Sequence, residues 1–372
     1  MKMGLKQINL MRTTPPHLSA VSGALHKTWV ALAESEEDLL LRLRQQHYNE
    51  DIRSVALEWI GHRVTPAPAL DRLIVTNGTM NSIGLLTSSI VGPGKTLLLE
   101  ELTSPEIFTL ARIASVEVKG VRIDQQGLMP DDFERKCRQH APKAVYVNCT
   151  IHSPTAYVTP ITRRRVIANI ARKYGVQIIE DEAQSLYLDE LPDSFATIAP
   201  DITWYAIGLS KYLSPAIRMA FVVAPSQPAS ANILECFRGT SSWHPAPLTA
   251  SVITRWTQIG VAQNLLRLVR IETRKRQLIV SELLSDIDGF RGSSGIHFWL
   301  PAPPGVDSQQ FSAAIAQAGI LVQPSKLCST DRQPRLHGIR CGVGDSVDIA
   351  QIRYAIELIR DIYFTFWFGS IP

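Results

Sequence analysis

The chain predicts an α/β protein: a large domain over residues 63–248 with a mostly parallel sheet between helical layers, and a smaller α+β domain assembled from 1–62 and 249–372. Three observations carry this reading. Between Leu73 and Pro225 short β-rich runs alternate with helical stretches, the pattern of repeated βα units. The run Ala144-Val-Tyr-Val-Asn-Cys149 is apolar and β-branched, as a strand buried on both faces must be. With 372 residues, 45% of them hydrophobic, the chain has enough apolar side chain to offset the entropy of ordering a large body.

The elements follow in order. Residues 17–62 read as helices, with amphipathic spacing through Leu39–Leu43 and Val55–Ile60. Leu73–Asn77 is the first strand of the large domain, and a helix over Thr79–Ile90 follows it. Lys95–Glu101 and Val116–Ile123 are the next strands. After the buried strand Ala144–Cys149 comes the best-marked helix, with Thr159 as N-cap, Pro160 at its first position and Gly175 closing its last turn. Strands at Val176–Glu180, Thr203–Gly208 and Arg218–Ala224 complete the sheet. Beyond them the sequence predicts one long helix over Ala250–Leu284, a strand at Gly295–Leu300, a helix at Ser308–Ala318 and a final helix from Val347. Pro301-Ala-Pro-Pro-Gly305 is a turn cluster.

Composition excludes several classes. A surplus of +4, from 38 basic and 34 acidic residues, does not mark a nucleic-acid-binding face. Five cysteines without a CxxC pair point to reduced thiols and a cytoplasmic protein. Met1–Arg12 lacks the apolar core of a signal peptide, and no run approaches the ~20 apolar residues of a membrane helix. The apolar stretch Tyr363–Trp367 is expected to be a packed helix end.

Fingerprints of phosphate-binding loops, dinucleotide turns, zinc proteases and serine hydrolases are absent, and the nine histidines show no metal-ligand spacing. What remains is a set of groups at strand ends, where open parallel sheets keep their ligands. In Gly208-Leu-Ser-Lys-Tyr-Leu-Ser-Pro-Ala-Ile-Arg218, a buried strand delivers Ser210 and Lys211 at its carboxyl end, and Arg218 opens the next strand. An ammonium there is costly unless paired or deprotonated, and a lysine that loses its proton readily suits Schiff-base chemistry. Ile178-Ile-Glu-Asp-Glu182 brings carboxylates to another strand end, either capping a turn or pairing with a cationic ring nitrogen. Thr76-Asn-Gly-Thr-Met80 is a strand-to-helix turn whose free N–H groups suit a phosphate. A phosphate nest, a carboxylate for a pyridinium and a Schiff-base lysine are together the parts that hold pyridoxal phosphate.

Across almost its whole length the chain resembles a fold-type I, class I/II aminotransferase, and it is most similar to the aminotransferase-like domain of MocR/GntR-type regulators. The resemblance is carried by Val75–Ser82, Lys95–Pro105, His152–Arg165, Val176–Ala183, Trp204–Pro225, Gly295–Leu300 and Leu336–Gly342, with Ser210-Lys211 and Arg218 the most specific part. No winged-helix segment precedes Ile8–Arg12, so a full-length regulator is not expected. The resemblance implies pyridoxal 5'-phosphate as cofactor, with Lys211 linked to it and moving the proton, and Asp181 on its ring nitrogen. It places Gly78, Thr79, Met80, Ser210 and Arg218 around the phosphate, and Arg340 on the substrate α-carboxylate. Tyr48 would reach the phosphate of a neighbouring subunit's cofactor, which implies a homodimer.

Four positions depart from the family pattern. Ser153-Pro-Thr-Ala156 stands for Asn-Pro-Thr-Gly, Ser104 for a stacked aromatic residue, Gln184 for a tyrosine on the ring oxygen, and Gly208 for a hydroxyl residue at the phosphate. Each lost neutral hydrogen bond costs ~1–2 kcal/mol of grip. The expectation is an aminotransferase moving an amino group between an α-amino acid and a 2-oxo acid. The alternatives are another pyridoxal-phosphate reaction on an amino acid (lyase, decarboxylase, cyclase or oxidase) or a weakly catalytic ligand sensor. No nucleic-acid or membrane partner is expected. The loop Gly239–Pro245 is a candidate to approach a partner's cofactor, with Trp243 alternatively a packed anchor, and Pro15, Pro16 and His17 are candidates for the substrate mouth.

Overall fold

Alternating apolar strands and helices need a sheet buried on both faces, and a seven-stranded sheet forms the centre of the molecule. The structure, a computed structural model, describes residues 7–34, 50–61, 63–238, 241–345 and 347–369. In chain order its strands are β1 (Ile8–Asn9), β2 (Leu73–Thr76), β3 (Thr96–Glu100), β4 (Glu117–Val121), β5 (Ile123–Asp124), β6 (Gly127–Leu128) and β7 (Ala144–Val147). They continue as β8 (Gln177–Asp181), β9 (Thr203–Gly208), β10 (Ala220–Val223), β11 (His297–Pro301), β12 (Ile320–Leu321), β13 (Gln323–Pro324) and β14 (Gly338–Gly342).

The central sheet has the order β2-β10-β9-β8-β7-β3-β4. Strands β4, β3, β7, β8 and β9 are parallel, and β10 lies antiparallel between β9 and β2. Every residue of β7 and β9 is buried. Alternation then sorts side chains between two cores: Leu97 and Leu99 pack with Ile83 and Ile179 on one face, while Leu98 packs with Val145, Ile167 and Ile178 on the other. Each such aliphatic side chain contributes about 1.5–3 kcal/mol by leaving water.

A second, antiparallel sheet of order β11-β14-β13 shares its core with the helices Val261–Leu284, Ser308–Gln317 and Ile349–Gly369. The amino-terminal strand β1 pairs parallel with β12 on this side. The chain then runs so close to β14 that only glycine fits: a Cβ on Gly342 would lie 1.9 Å from the Arg12 carbonyl oxygen, and one on Gly344 1.7 Å from that of Thr14. That contact brings residues 11–14 to the strand ends of the large sheet.

Several predicted boundaries move. The helix expected from Pro160 begins at Ile161, with Pro160 extended as its N-cap, and Gly175 closes it at φ +64° as expected. Arg218 precedes its strand, which starts at Ala220. The single helix expected over Ala250–Leu284 is two, Pro247–Gln258 and Val261–Leu284, because Gly260 adopts φ +73° and turns the chain. The first of these packs under the amino-terminal helices, where Trp256 Nε1 donates to Thr28 Oγ1 (2.8 Å) and Trp59 Nε1 to Thr257 Oγ1 (3.1 Å). The expected packed helix end is only partly packed: Tyr363 is buried against Phe311, while Trp367, which stacks on it, and Phe368 are exposed. The short strands β1, β5, β6, β12 and β13 were not expected, since two-residue strands carry no period to read. Among the described residues no helix is long and apolar enough to cross a membrane.

Candidate active site

A cavity of about 410 Å³ lies between the carboxyl ends of the central strands and the second sheet, within the usual size range for small-molecule sites. The β2 turn contributes Gly78, Thr79 and Met80, and the segment after β9 contributes Ser210, Lys211, Pro215 and Arg218. Ala183 follows the end of β8, and Ser104 and Glu106 come from the N-cap and first turn of the helix Pro105–Ile113. Residues 11–14, Gln323 and Arg340 close the opposite wall.

At one end, Gly78 begins the helix Thr79–Leu86 at φ +93°, leaving the first N–H groups of that helix unpaired within it. The Arg218 guanidinium lies over this turn, 3.9 Å from where a Cβ on Gly78 would stand. The Trp243 carbonyl accepts from Asn77 N–H (2.9 Å) and braces the turn. Gly208 has a steric reason: a Cβ there would sit 2.0 Å from Thr79 Oγ1. The space a side chain at 208 would take is filled by the Thr79 hydroxyl of the facing turn. Free N–H groups, a hydroxyl and a guanidinium together suit a phosphate.

Asp181, at the end of β8, is buried outside the cavity lining, within electrostatic reach of Lys211. Its Oδ2 accepts from Tyr146 Oη (2.7 Å), its backbone carbonyl accepts from Asn148 Nδ2 (2.6 Å), and its Oδ1 is buried with no partner. A carboxylate oxygen held without a donor is costly unless a ligand brings one, and a protonated ring nitrogen does so. Burial raises the Asp181 carboxyl above its ordinary value, against the opposing pull of Lys211 and the Tyr146 hydroxyl. Burial likewise pulls the Lys211 ammonium below the usual lysine range, opposed by Asp181 and Glu106. The Lys211 backbone is anchored by Tyr187 Oη, which donates to its carbonyl oxygen (2.6 Å).

On the opposite wall, Arg340 of β14 is buried, with Nη1 donating to Ser153 Oγ (3.1 Å) and Nη2 to the Met11 carbonyl (2.8 Å). Its Nε has no partner, so the guanidinium retains donors for a carboxylate. Ser153 therefore meets the cavity through Arg340 and is itself fixed by Asn148 Oδ1, which accepts its N–H (2.9 Å). Gln184 is not among the lining residues. Its Oε1 accepts from Ile296 N–H (3.1 Å) and its Nε2 lies 3.0 Å from His297 Nδ1, a tie between the two sheets. Ser104 lines the cavity and donates its hydroxyl to Glu106.

Tyr48 lies outside the described residues, as do Gly239 and Thr240 of the 239–245 loop. Trp243 packs edge-on against Phe237 (4.5 Å), the anchor reading. Pro15, Pro16 and His17 are not in the lining, where Met11, Arg12, Thr13 and Thr14 stand instead. The sequence reading also missed Tyr146, Asn148, Glu106 and Arg12 as site residues. Only Tyr146 carried a signal: in β7 its hydroxyl needs a buried partner, and β8 is the neighbouring strand.

The family model for aminotransferase class I and II matches residues 6–359. The chain belongs to that family. Among its relatives are two HTH-type transcriptional regulators, YdeF of Bacillus subtilis (26% identical, 78% of this chain and 63% of that protein) and TauR of Rhodobacter capsulatus (24%, 77% and 60%). The chain thus spans under two thirds of either regulator. A 2-aminoadipate transaminase of Thermus thermophilus is 23% identical over 69% of this chain and 66% of that one. An archaeal alanine:glyoxylate aminotransferase superposes with a TM-score of 0.83 at 20% identity, covering 98% of this chain and 92% of that one. A kynurenine aminotransferase of Pyrococcus horikoshii gives 0.84 at 17% identity, covering 97% and 92%. This class I/II chain has the fold-type I aminotransferase architecture.

Proposed function

We propose that this family member is a pyridoxal 5'-phosphate-dependent aminotransferase that moves an amino group between an α-amino acid and a 2-oxo acid, as a homodimer in a reducing, cytoplasmic setting. The observation that carries the reading is a buried Asp181 whose Oδ1 has no partner, close enough to interact electrostatically with Lys211, which lines the cavity. The bound cofactor would supply a carbonyl carbon for nitrogen transfer and a ring that accepts electrons.

The chain's own residues would divide the remaining work. Asp181, with Tyr146 donating to its Oδ2, would hold the ring nitrogen and keep it protonated. Gly78, Thr79, Met80, Ser210 and Arg218 hold the phosphate. Arg340 binds the substrate α-carboxylate, with Ser153 and Met11 fixing its plane. Lys211 Nζ takes the proton from substrate Cα, and its lowered pKa keeps more of it as free base near neutral pH. The dimer reading is supported by exposed Trp29 and Val30 on the helix Ser19–Ala33. Five thiols free of disulfides support a reducing setting.

Borohydride reduction of protein reconstituted with pyridoxal phosphate, followed by peptide mapping, tests the reading. A pyridoxyl label on Lys211 is expected, and a label elsewhere overturns the assignment. Single-turnover spectroscopy separates outcomes: release of a 2-oxo acid with a pyridoxamine spectrum is expected, whereas product formation with the starting spectrum restored indicates a different reaction.

A further inference from the structure

We propose that Glu106 selects the amino donor, and that the cavity takes an α-amino acid whose side chain ends in a cation. This rests on the aminotransferase reading above. It follows from the charges on the cavity wall once each is matched to a partner.

Arg12, Glu106, Lys211, Arg218 and Arg340 are the ionisable groups of the lining. Arg12 has its own counter-ion, Asp345, at 3.8 Å. Arg218 lies over the Gly78 turn, Arg340 presents its fork for the α-carboxylate, and Lys211 is at the reacting carbon. Glu106 is the anion left over. Its carboxylate accepts from two neutral groups, the Ser104 hydroxyl and its own N–H, and its side chain is exposed to the cavity. A carboxylate has about four acceptor positions, so part of its capacity is unused.

Glu106 also lines the same cavity as Lys211 and Arg340. It is within the electrostatic reach of both Lys211 and Arg340, the two groups that would hold the substrate's nitrogen and its α-carboxylate. With the Ser104 bond, these cations hold its carboxyl below the usual range, so it is charged at neutral pH. An incoming ammonium or guanidinium gains a partner without breaking a pair. A second carboxylate meets an anion and must share Arg12 with Asp345. The ordinary role of Glu106, an acid in the first turn of the helix Pro105–Ile113, predicts a change in stability but none in the ranking of substrates.

The test compares kcat/KM of the reconstituted enzyme for L-lysine, L-norleucine and L-2-aminoadipate. The expected order is lysine, norleucine, 2-aminoadipate, with roughly tenfold between the first two, a decade being about 1.4 kcal/mol. Glu106→Gln should lower the lysine value about tenfold relative to norleucine and raise 2-aminoadipate relative to norleucine, and Glu106→Asp should keep the wild-type order. Calorimetry with α-methyl-lysine and α-methyl-glutamate, which have no Cα proton to lose, gives a readout without turnover. Binding of the former should fall in Glu106→Gln and fall with salt. An equal loss for all three substrates, or a wild-type preference for 2-aminoadipate, overturns the proposal. Turnover of norleucine without a lysine preference sinks the selection alone. Glu106-dependent binding of α-methyl-lysine in a protein that transaminates nothing sinks the aminotransferase reading alone.

Discussion

Three consecutive acids at the carboxyl end of β8, the last just beyond it, meet opposite fates. Glu180 and Glu182 point to one face of the sheet, and each of their carboxylate oxygens has a donor. Glu180 accepts from Phe195 N–H (2.9 Å), Ala196 N–H (3.1 Å) and Arg164 Nη1 (3.3 Å). Glu182 accepts from Arg63 Nε (3.0 Å), Arg63 Nη2 (3.2 Å) and Thr150 Oγ1 (2.7 Å). Asp181, between them, points the other way and keeps one oxygen without a donor. All three are buried, so the difference is one of partners. A buried acid whose acceptors are all filled ties the chain together, whereas one left short can be completed only by a ligand.

The sharpest way to break the contrast is at the cavity. Lys211→Ala should abolish the reductively trapped pyridoxyl adduct and cut transamination by about 10²–10⁴-fold or more, with the thermal unfolding midpoint little changed. Asp181→Asn should also act on chemistry more than on folding: the rate falls by about 10²-fold or more, and the bound-cofactor spectrum changes because the ring nitrogen is no longer held protonated. A wild-type rate in Asp181→Asn would remove the distinction between the two faces.

On the saturated face the order of effects reverses. Glu182→Gln should cost about 3–5 kcal/mol in a denaturant titration, because it leaves Arg63 buried without its counter-charge, while the rate per folded molecule stays near wild type. The same pair sets an acid limit. The guanidiniums of Arg63 and Arg164 pull Glu182 from 4.5 to about 2. Its folded value lies below the unfolded one, so this stability is fully present above pH ~4.5 and is lost as pH falls toward 2. Unfolding midpoints measured across that window should fall in the wild type and flatten in Glu182→Gln. The smallest effect is expected at the phosphate turn, where Gly208→Ala drives a Cβ into Thr79 and costs about 1–3 kcal/mol through overpacking. Pairing it with Thr79→Gly should recover the fold but not the affinity for pyridoxal phosphate, measured by fluorescence titration.

Much of the architecture was legible because its signals are local. Alternation of β-rich and helical runs identified the central strands within a few residues, and Gly175 marked a helix end through a backbone conformation glycine favours. The break at Gly260 was missed because the apolar period continues across it on both sides. Of the site, Lys211, Asp181, Gly78 and Arg340 were read from strand ends and a family resemblance. Glu106 was not, since an acid in a first helical turn is ordinary in sequence and acquires meaning only beside Lys211 and Arg340. Gln184 went astray for the reverse reason: the family resemblance placed it by the cavity, while its amide is spent between Ile296 and His297.

The amino-acid order alone determined which segments become buried strands, where they stop, and that a lysine, an acid and a turn glycine stand at those stops, since burial period and turn chemistry act over a few residues. Only the tertiary structure decided which hydroxyl fills the space at Gly208, which acid keeps a bare oxygen, and which carboxylate shares a wall with Arg340. Those outcomes depend on contacts between groups far apart in the chain, and the desolvation that gives them their energy exists only once the sheets have closed around them.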